Sequence, residues 1–223
     1  MEFNFSQFYR KDLNENRWCL IESLKRRPKL SPKVIDAINV LPREIFVQPN
    51  FAYKAYEDTA LPIDCEQTIT QPYTVAYQTT LLNIKKGDKI LEIGTGSGYQ
   101  ASILYILGAK VFTIERIKDL YDKAKIRFKK LDLNILTRLA DGTIGWSEYA
   151  PFDGIVVTAA APAVPVSLLE QLKIGGRLVI PTGELTSQDM LLIEKVSEND
   201  FVETKKERFK FVPLIGKEGW KDS

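Results

Sequence analysis

Three glycines at alternate positions, Gly94, Gly96 and Gly98, close one apolar run and open another, and no other stretch constrains this 223-residue chain as tightly. The run before them, Ile90-Leu91-x-Ile93, is long enough for a buried strand and too short for a helix. After them Ala101, Ile103, Leu104 and Leu107 lie on one helical face that stops at Gly108, a suitable C-terminal cap. A strand, a glycine turn and a helix in that order let backbone approach a ligand closely and offer it unpaired N–H groups. The spacing is G-x-G-x-G. A dinucleotide fingerprint needs its third glycine at position 99, which is Tyr99, and the chain has no G-x-x-x-x-G-K-[ST] phosphate loop.

Around this unit the pattern predicts an α/β fold: a Rossmann-like, doubly wound, mainly parallel sheet with an antiparallel closing strand and a helical N-terminal extension. Leu13, Leu20, Ile21 and Leu24 predict a first helix ending in the basic run Lys25-Arg26-Arg27. Ser31 as cap, Pro32 at the first position and Val34, Ile35, Ile38 and Leu41 as the apolar stripe predict a second, ended by Pro42. From Pro42 to Pro72 periodicity fades, yet the aromatics argue against disorder, so the stretch reads as ordered and functional. Pro72 then starts a helix through Val75, Ala76, Thr79 and Leu82. Strands are expected at 110–114, 134–139, 152–158 and 177–181, and a long helix follows from Ile117, Leu120, Tyr121, Ala124, Phe128 and Leu131. Leu168, Leu169 and Leu172 mark a helix stopped by Gly175-Gly176, and 190–196 with 201–212 a closing antiparallel pair. The expected division is a segment 1–66 packed on a main domain 67–223.

Three acids sit at or beside strand ends, where a doubly wound sheet binds its ligands: Glu92, Glu115 and Asp141. Glu115 follows Gly94 by 21 residues, near the spacing at which an acid accepts from ribose hydroxyls. Asp141 is placed to accept from an adenine amino group, with small Gly142 leaving room for the ring. An acid-lined pocket suits a positively charged sulfonium better than a triphosphate.

The chain contains no histidine, which removes Ser-His-Asp and Cys-His mechanisms and histidine-ligated metals. A nucleophile already ionised at neutral pH fits that limit. A net charge of +2 is too balanced to argue for nucleic acid or an anionic membrane surface. The two cysteines, Cys19 and Cys65, make neither a disulfide framework nor a metal cluster. No apolar run approaches a membrane span, the first residues lack a signal peptide's apolar segment, and a cytoplasmic location is expected.

The glycine loop with its strand-end acid resembles the cofactor loop of S-adenosylmethionine-dependent methyltransferases. Longer segments narrow this: Pro42-Arg43-Glu44-x-Phe46-Val47, Ala55-Tyr56-x-Asp58-x-Ala60-Leu61-Pro62-Ile63, Gln67-Thr68-Ile69-Thr70-Gln71-Pro72, Glu115-Arg116, Asp141-Gly142-Thr143-x-Gly145-Trp146, Ala150-Pro151-Phe152-Asp153 and Phe211-Val212-Pro213-Leu214. Over nearly its whole length the chain resembles the protein-L-isoaspartate (D-aspartate) O-methyltransferases. The resemblance implies methyl transfer from S-adenosylmethionine to the free carboxylate of isoaspartyl residues in damaged proteins and peptides, with no metal.

It also implies roles. Thr70 stands where the family has a serine regarded as the active-site residue, with a hydroxyl that orients the substrate carboxylate or lines the methyl path. Ile69, Gln71, Glu92, Gly94, Thr95, Gly96, Ser97, Gly98, Glu115, Arg116, Asp141 and Gly142 are expected around the cofactor. Val212 and Pro213, with Thr70, are expected to hold the substrate. Thr70 departs from the family by one methyl group, and Asp64 and Glu66 stand where many members have glycines, adding negative charge beside a site for a carboxylate. The residues alone leave two alternatives, a methyltransferase for small-molecule carboxylates and a non-catalytic cofactor-binding module.

Overall fold

The computed structural model describes residues 3–222. Two 3-10 turns, Ser6–Phe8 and Lys11–Leu13, precede helices α1 (Asn14–Lys25) and α2 (Pro32–Val40). Two more, Arg43–Phe46 and Pro49–Lys54, lead to a hairpin of β1 (Leu61–Pro62) and β2 (Thr68–Ile69), then α3 (Pro72–Leu82). Alternation begins with β3 (Lys89–Ile93), α4 (Tyr99–Ile106), β4 (Lys110–Glu115), α5 (Lys118–Lys130) and β5 (Leu136–Leu139). It continues through β6 (Phe152–Val157), α6 (Val166–Glu170) and β7 (Leu172–Glu184), and closes with β8 (Ser187–Lys195) and β9 (Phe201–Phe209).

The main sheet has seven strands in the order β5-β4-β3-β6-β7-β8-β9. Pairings from β5 to β7 are parallel, and β7–β8 and β8–β9 are antiparallel. Alternate residues of each strand face opposite sides. Ile90, Val111, Val156, Val179 and Leu192 pack with α1 to α5 in one cluster. Leu91, Ile93, Phe112, Ile155 and Leu178 form the second core, on the other face, with Leu168 of α6 and Leu214. The near-continuous apolar runs of β3 and β6 follow from this burial on both faces. Among the described residues no helix is long and apolar enough to cross a membrane.

Several expectations meet a different outcome. Ser31 stands at the N-cap of α2, but its side chain makes no capping bond, and its own N–H donates to Thr80 Oγ1 (3.1 Å). Leu172 belongs to β7 rather than to the helix before it. That helix ends at Glu170, and the Gly175-Gly176 pair lies inside a strand whose register against β6 shifts between Phe152 and Gly154. Bulging rather than helix termination explains the two glycines. The last strand stops at Phe209, short of Val212.

The first helices share the main core: Leu20, Leu24, Ile35, Ile38 and Leu41 bury in the same cluster as Ala76, Leu104 and Val179. Leu41 is wholly buried, so Leu41→Ala should cost about 2–5 kcal/mol. Urea denaturation followed by both circular dichroism and tryptophan fluorescence should show one shifted transition. Two separate transitions would show that the first 66 residues fold as a unit of their own.

Candidate active site

Strand order reverses beside β3, so the carboxyl ends of β3 and β6 border the crevice where this architecture places ligands. The Thr158 hydroxyl, just beyond β6, lies 2.7 Å from the Gly94 carbonyl and 3.0 Å from that of Ile93. A Cβ on Gly94 would sit 2.5 Å from that hydroxyl, and the residue has φ +93°, so only glycine lets the chain turn there. The turn is held from the other side by Glu115. Its carboxylate accepts from Gly96 N–H (2.8 Å), Arg116 N–H (2.8 Å) and Ile117 N–H (3.0 Å). A carboxylate offers about four acceptor positions, so Glu115 keeps roughly one for a ligand hydroxyl, fewer than a two-bond grip on a diol requires.

The resulting cleft lies at the carboxyl ends of β3, β4 and β6. Gly94, Thr95, Gly96, Ser97, Glu115, Arg116 and Gly142 line it, together with Ile69, Thr70, Val212 and Pro213. Four expected residues stand outside the lining. Gly98 is the N-cap of α4 and lies against the Phe128 ring. Gln71 turns to α3 and the preceding loop, donating to the Asp58 carbonyl (2.9 Å) and accepting from Thr74 Oγ1 (3.3 Å). Asp141 uses Oδ1 to accept from Thr143 N–H and Oγ1, and Oδ2 from Lys217 N–H (2.7 Å). It borders a neighbouring hollow with Trp220 and Asp222, while Gly142 alone reaches the cleft. Gly142 also serves packing more than ligand clearance, since a Cβ there would meet Ile93 Cγ2 at 2.5 Å.

Glu92 is the fourth. It is fully buried beneath the loop, 2.5 Å from Thr113 Oγ1, which in turn lies 2.6 Å from Thr95 Oγ1. The acid therefore reaches the cleft only through two hydroxyls. Desolvation pushes its pKa up to about 8, countered in part by the Thr113 bond and reinforced by nearby Glu115.

Some wall residues escaped the sequence reading. Thr158 was legible only as the end of a strand, and Ile117 and Leu120 only as the apolar face of α5, although all three line the cleft. Tyr99 and Gln100 line it too, and each carries a buried polar atom without a partner, the tyrosine hydroxyl and Gln100 Oε1. An apolar patch at Ile117 and Leu120 beside a free acceptor position on Glu115 fits a ligand that joins an aromatic base to a sugar. Among the described residues no three His, Cys, Asp or Glu side chains gather as a metal site.

Residues 15–219 match the family model described as protein-L-isoaspartate (D-aspartate) O-methyltransferase. The chain belongs to that family. A protein-L-isoaspartate O-methyltransferase of Chlorobaculum parvum is 49% identical over 214 residues, covering 95% of this chain and 97% of the relative. One from Pelodictyon phaeoclathratiforme is 48% identical over 96% of this chain and 97% of its own. Among solved structures, a protein-L-isoaspartate O-methyltransferase superposes with TM-score 0.81 at 29% identity, over 91% of this chain and 67% of the other. A candidate member from Plasmodium falciparum, solved in complex with S-adenosyl-L-homocysteine, gives 0.78 at 25% identity over 88% and 97%.

Set against the protein-L-isoaspartate O-methyltransferase pattern, the added charges at Asp64 and Glu66 separate. Asp64 pairs with Lys123 (2.7 Å) and accepts from Gln48 Nε2 (3.2 Å), and the Lys123 ammonium holds its carboxyl below the usual carboxylate range. Glu66 and Cys65 form the tip of the β1–β2 hairpin, each at φ +58°. Two successive left-handed residues make a turn that favours glycine at 65 and 66, whereas Asp64 has no such backbone.

The buried Glu92 makes a pH signature. The folded state keeps the proton to about pH 8, whereas an unfolded carboxyl releases it near 4.5, the ordinary value. Between those values the folded chain binds more protons, so this contribution to stability is complete below about 4.5 and declines as pH rises through 8. The slope is at most about 1.4 kcal/mol per pH unit. Denaturation midpoints of wild type and Glu92→Gln across pH 5–8 should diverge steadily in favour of the variant. Parallel curves would show that Glu92 is ionised in the fold.

Proposed function

We propose that this chain transfers the methyl group of S-adenosylmethionine to the free carboxylate of L-isoaspartyl, and of D-aspartyl, residues in damaged proteins and peptides. The observation that carries the reading is the meeting of two segments, Ile69-Thr70 and Val212-Pro213, at one cleft with the glycine loop and Glu115. Bound S-adenosylmethionine supplies an electrophilic methyl group on a sulfonium. The chain's own residues then have to bind, orient and shield rather than move protons. A substrate carboxylate, with a pKa of about 4, is ionised at pH 7 and needs no base, in keeping with a chain free of histidine.

Positioning is the main catalytic resource, and such ordering contributes on the order of 7–11 kcal/mol in favourable cases. Glu115 and the glycine turn it holds shape the cofactor side. The Thr70 hydroxyl is suited to hold one carboxylate oxygen on the substrate side, and nothing in the wall is suited to turn it into a nucleophile. Val212 and Leu214 are stitched to one strand edge, with Ala160 N–H donating to the Val212 carbonyl (2.7 Å) and Leu214 N–H to that of Ala160 (2.8 Å). In such a parallel bridge the Pro213 carbonyl points to the opposite edge, where an extended peptide backbone can pair with it.

Methyl transfer measured on an isoaspartyl peptide and its normal aspartyl twin should occur on the first alone. Thr70→Val, which removes the hydroxyl at similar size, should lower kcat/KM by roughly 10–100-fold, the worth of a hydrogen bond to a charged group. Thr70→Ser should retain activity. Equal rates on the two peptides, or a Val variant as fast as wild type, would refute the assignment.

A further inference from the structure

Arg43 is the largest of the fully buried side chains, yet no carboxylate within the chain pairs with it among the described residues. A buried cation without such a partner is costly, so its retention asks for a reason beyond packing. Its Nη2 donates to the Thr70 carbonyl (2.9 Å), while Nε and Nη1 have no partner. The guanidinium lies over the ring of Tyr99, 4.9 Å from its centroid, and Tyr99 is both the first residue of α4 and part of the cleft wall.

The rest of the 43–46 turn makes a second set of ties. Phe46 packs edge-on against the same Tyr99 ring, with centroids 5.2 Å apart. Arg127 of α5 donates from Nε to the Ile45 carbonyl (3.0 Å) and from Nη1 to the Ser97 carbonyl (2.9 Å). One short turn is therefore bonded to the Thr70 segment at one end and tied, through Arg127, to the glycine loop at the other. Downstream, Asp58 fixes the next residues, accepting Tyr73 N–H at Oδ1 (2.8 Å) and Gln71 Nε2 at its carbonyl. Thr70 itself, between β2 and α3, belongs to no helix or strand.

We propose that Arg43 is a positioning residue that sets the place of Thr70 relative to the glycine loop, acting through the Thr70 carbonyl. The proposal rests on the isoaspartyl methyl transfer reading above. Among the described residues no other hydrogen bond holds the Thr70 backbone. A misplacement of about 1 Å at a reacting pair can lower a rate about 100-fold, so losing this bond should weigh on turnover rather than on cofactor affinity.

The test uses the full chain with Arg43→Met, which keeps length and burial without donor or charge, and Arg43→Lys, which keeps a cation able to donate. Calorimetry with S-adenosylhomocysteine reports the cofactor side, and initial rates on an isoaspartyl peptide report kcat and KM. Arg43→Met should lower kcat by about 10–100-fold with KM and the calorimetric affinity changed by less than about threefold. Arg43→Lys should recover part of kcat. If Arg43→Met turns over within twofold of wild type, or if kcat and cofactor affinity fall together in both variants, Arg43 only maintains the fold and the proposal is overturned. Equal kcat in Lys and Met variants would assign the effect to packing on Tyr99 and overturn it as well. A wild-type chain that leaves the isoaspartyl peptide unmethylated would refute the functional reading instead.

Discussion

The bond from Gly96 N–H to the Glu115 carboxylate is the constraint on which the cleft depends. It joins the turn after β3 to the end of β4, and the same carboxylate takes the first two N–H groups beyond its own strand. Three charge-assisted bonds to backbone are worth more than three neutral ones, and they hold donors that otherwise require water. The loop can then stand open toward a ligand without collapsing onto it. Thr158 supplies the matching clamp from β6, at the carbonyls of Ile93 and Gly94. The turn is thus anchored by its N–H groups on one side and by its carbonyls on the other.

Two acids that look alike in the sequence take opposite roles because of a single step in register. Glu92 lies opposite Thr113, and Glu115 lies two residues beyond Thr113 on the same sheet face. Glu115 therefore reaches the rim, where N–H groups and a ligand compete for it. Glu92 sits one layer lower, in the body of the core, where desolvation favours its neutral form. A neutral acid there also spares Glu115 a buried like charge. Its contact with the loop is indirect, through Thr113 and Thr95.

The parts of the fold that were legible from residues alone were those whose burial imposes a period. The apolar runs of β3, β4 and β6, the stripe of α5, and the cap-like Gly108 after α4 all follow from which face meets the core. The boundary at Leu172 was not legible, because a bulged strand and a glycine-stopped helix present the same leucine and glycine pattern. Of the site, the loop and Glu115 were legible from spacing. Asp141 borders a neighbouring hollow because its partners, Thr143 and the Lys217 N–H, come from turns that no periodicity announces. Thr158 and Arg43 depend on contacts 64 and 27 residues apart in the chain, which local pattern does not encode.

The 42–72 stretch shows how order arises without period. Its backbone is short turns and a two-residue hairpin, so repeated backbone bonds cannot hold it. Side chains do so instead: Tyr56 on Glu44 (2.5 Å), Glu44 on Arg10 N–H (3.0 Å), Arg43 on Thr70, Asp58 on Tyr73, and Lys123 on Asp64. Each of these bonds crosses between elements rather than along one. A segment fixed this way can place a single hydroxyl at a chosen point over a rigid sheet, a task for which a helix or strand, with its repeating geometry, is poorly suited. The sheet then supplies a rigid floor to the cleft and the aperiodic stretch places side chains beside it, and the proposed reaction, governed by orientation rather than proton transfer, draws on both.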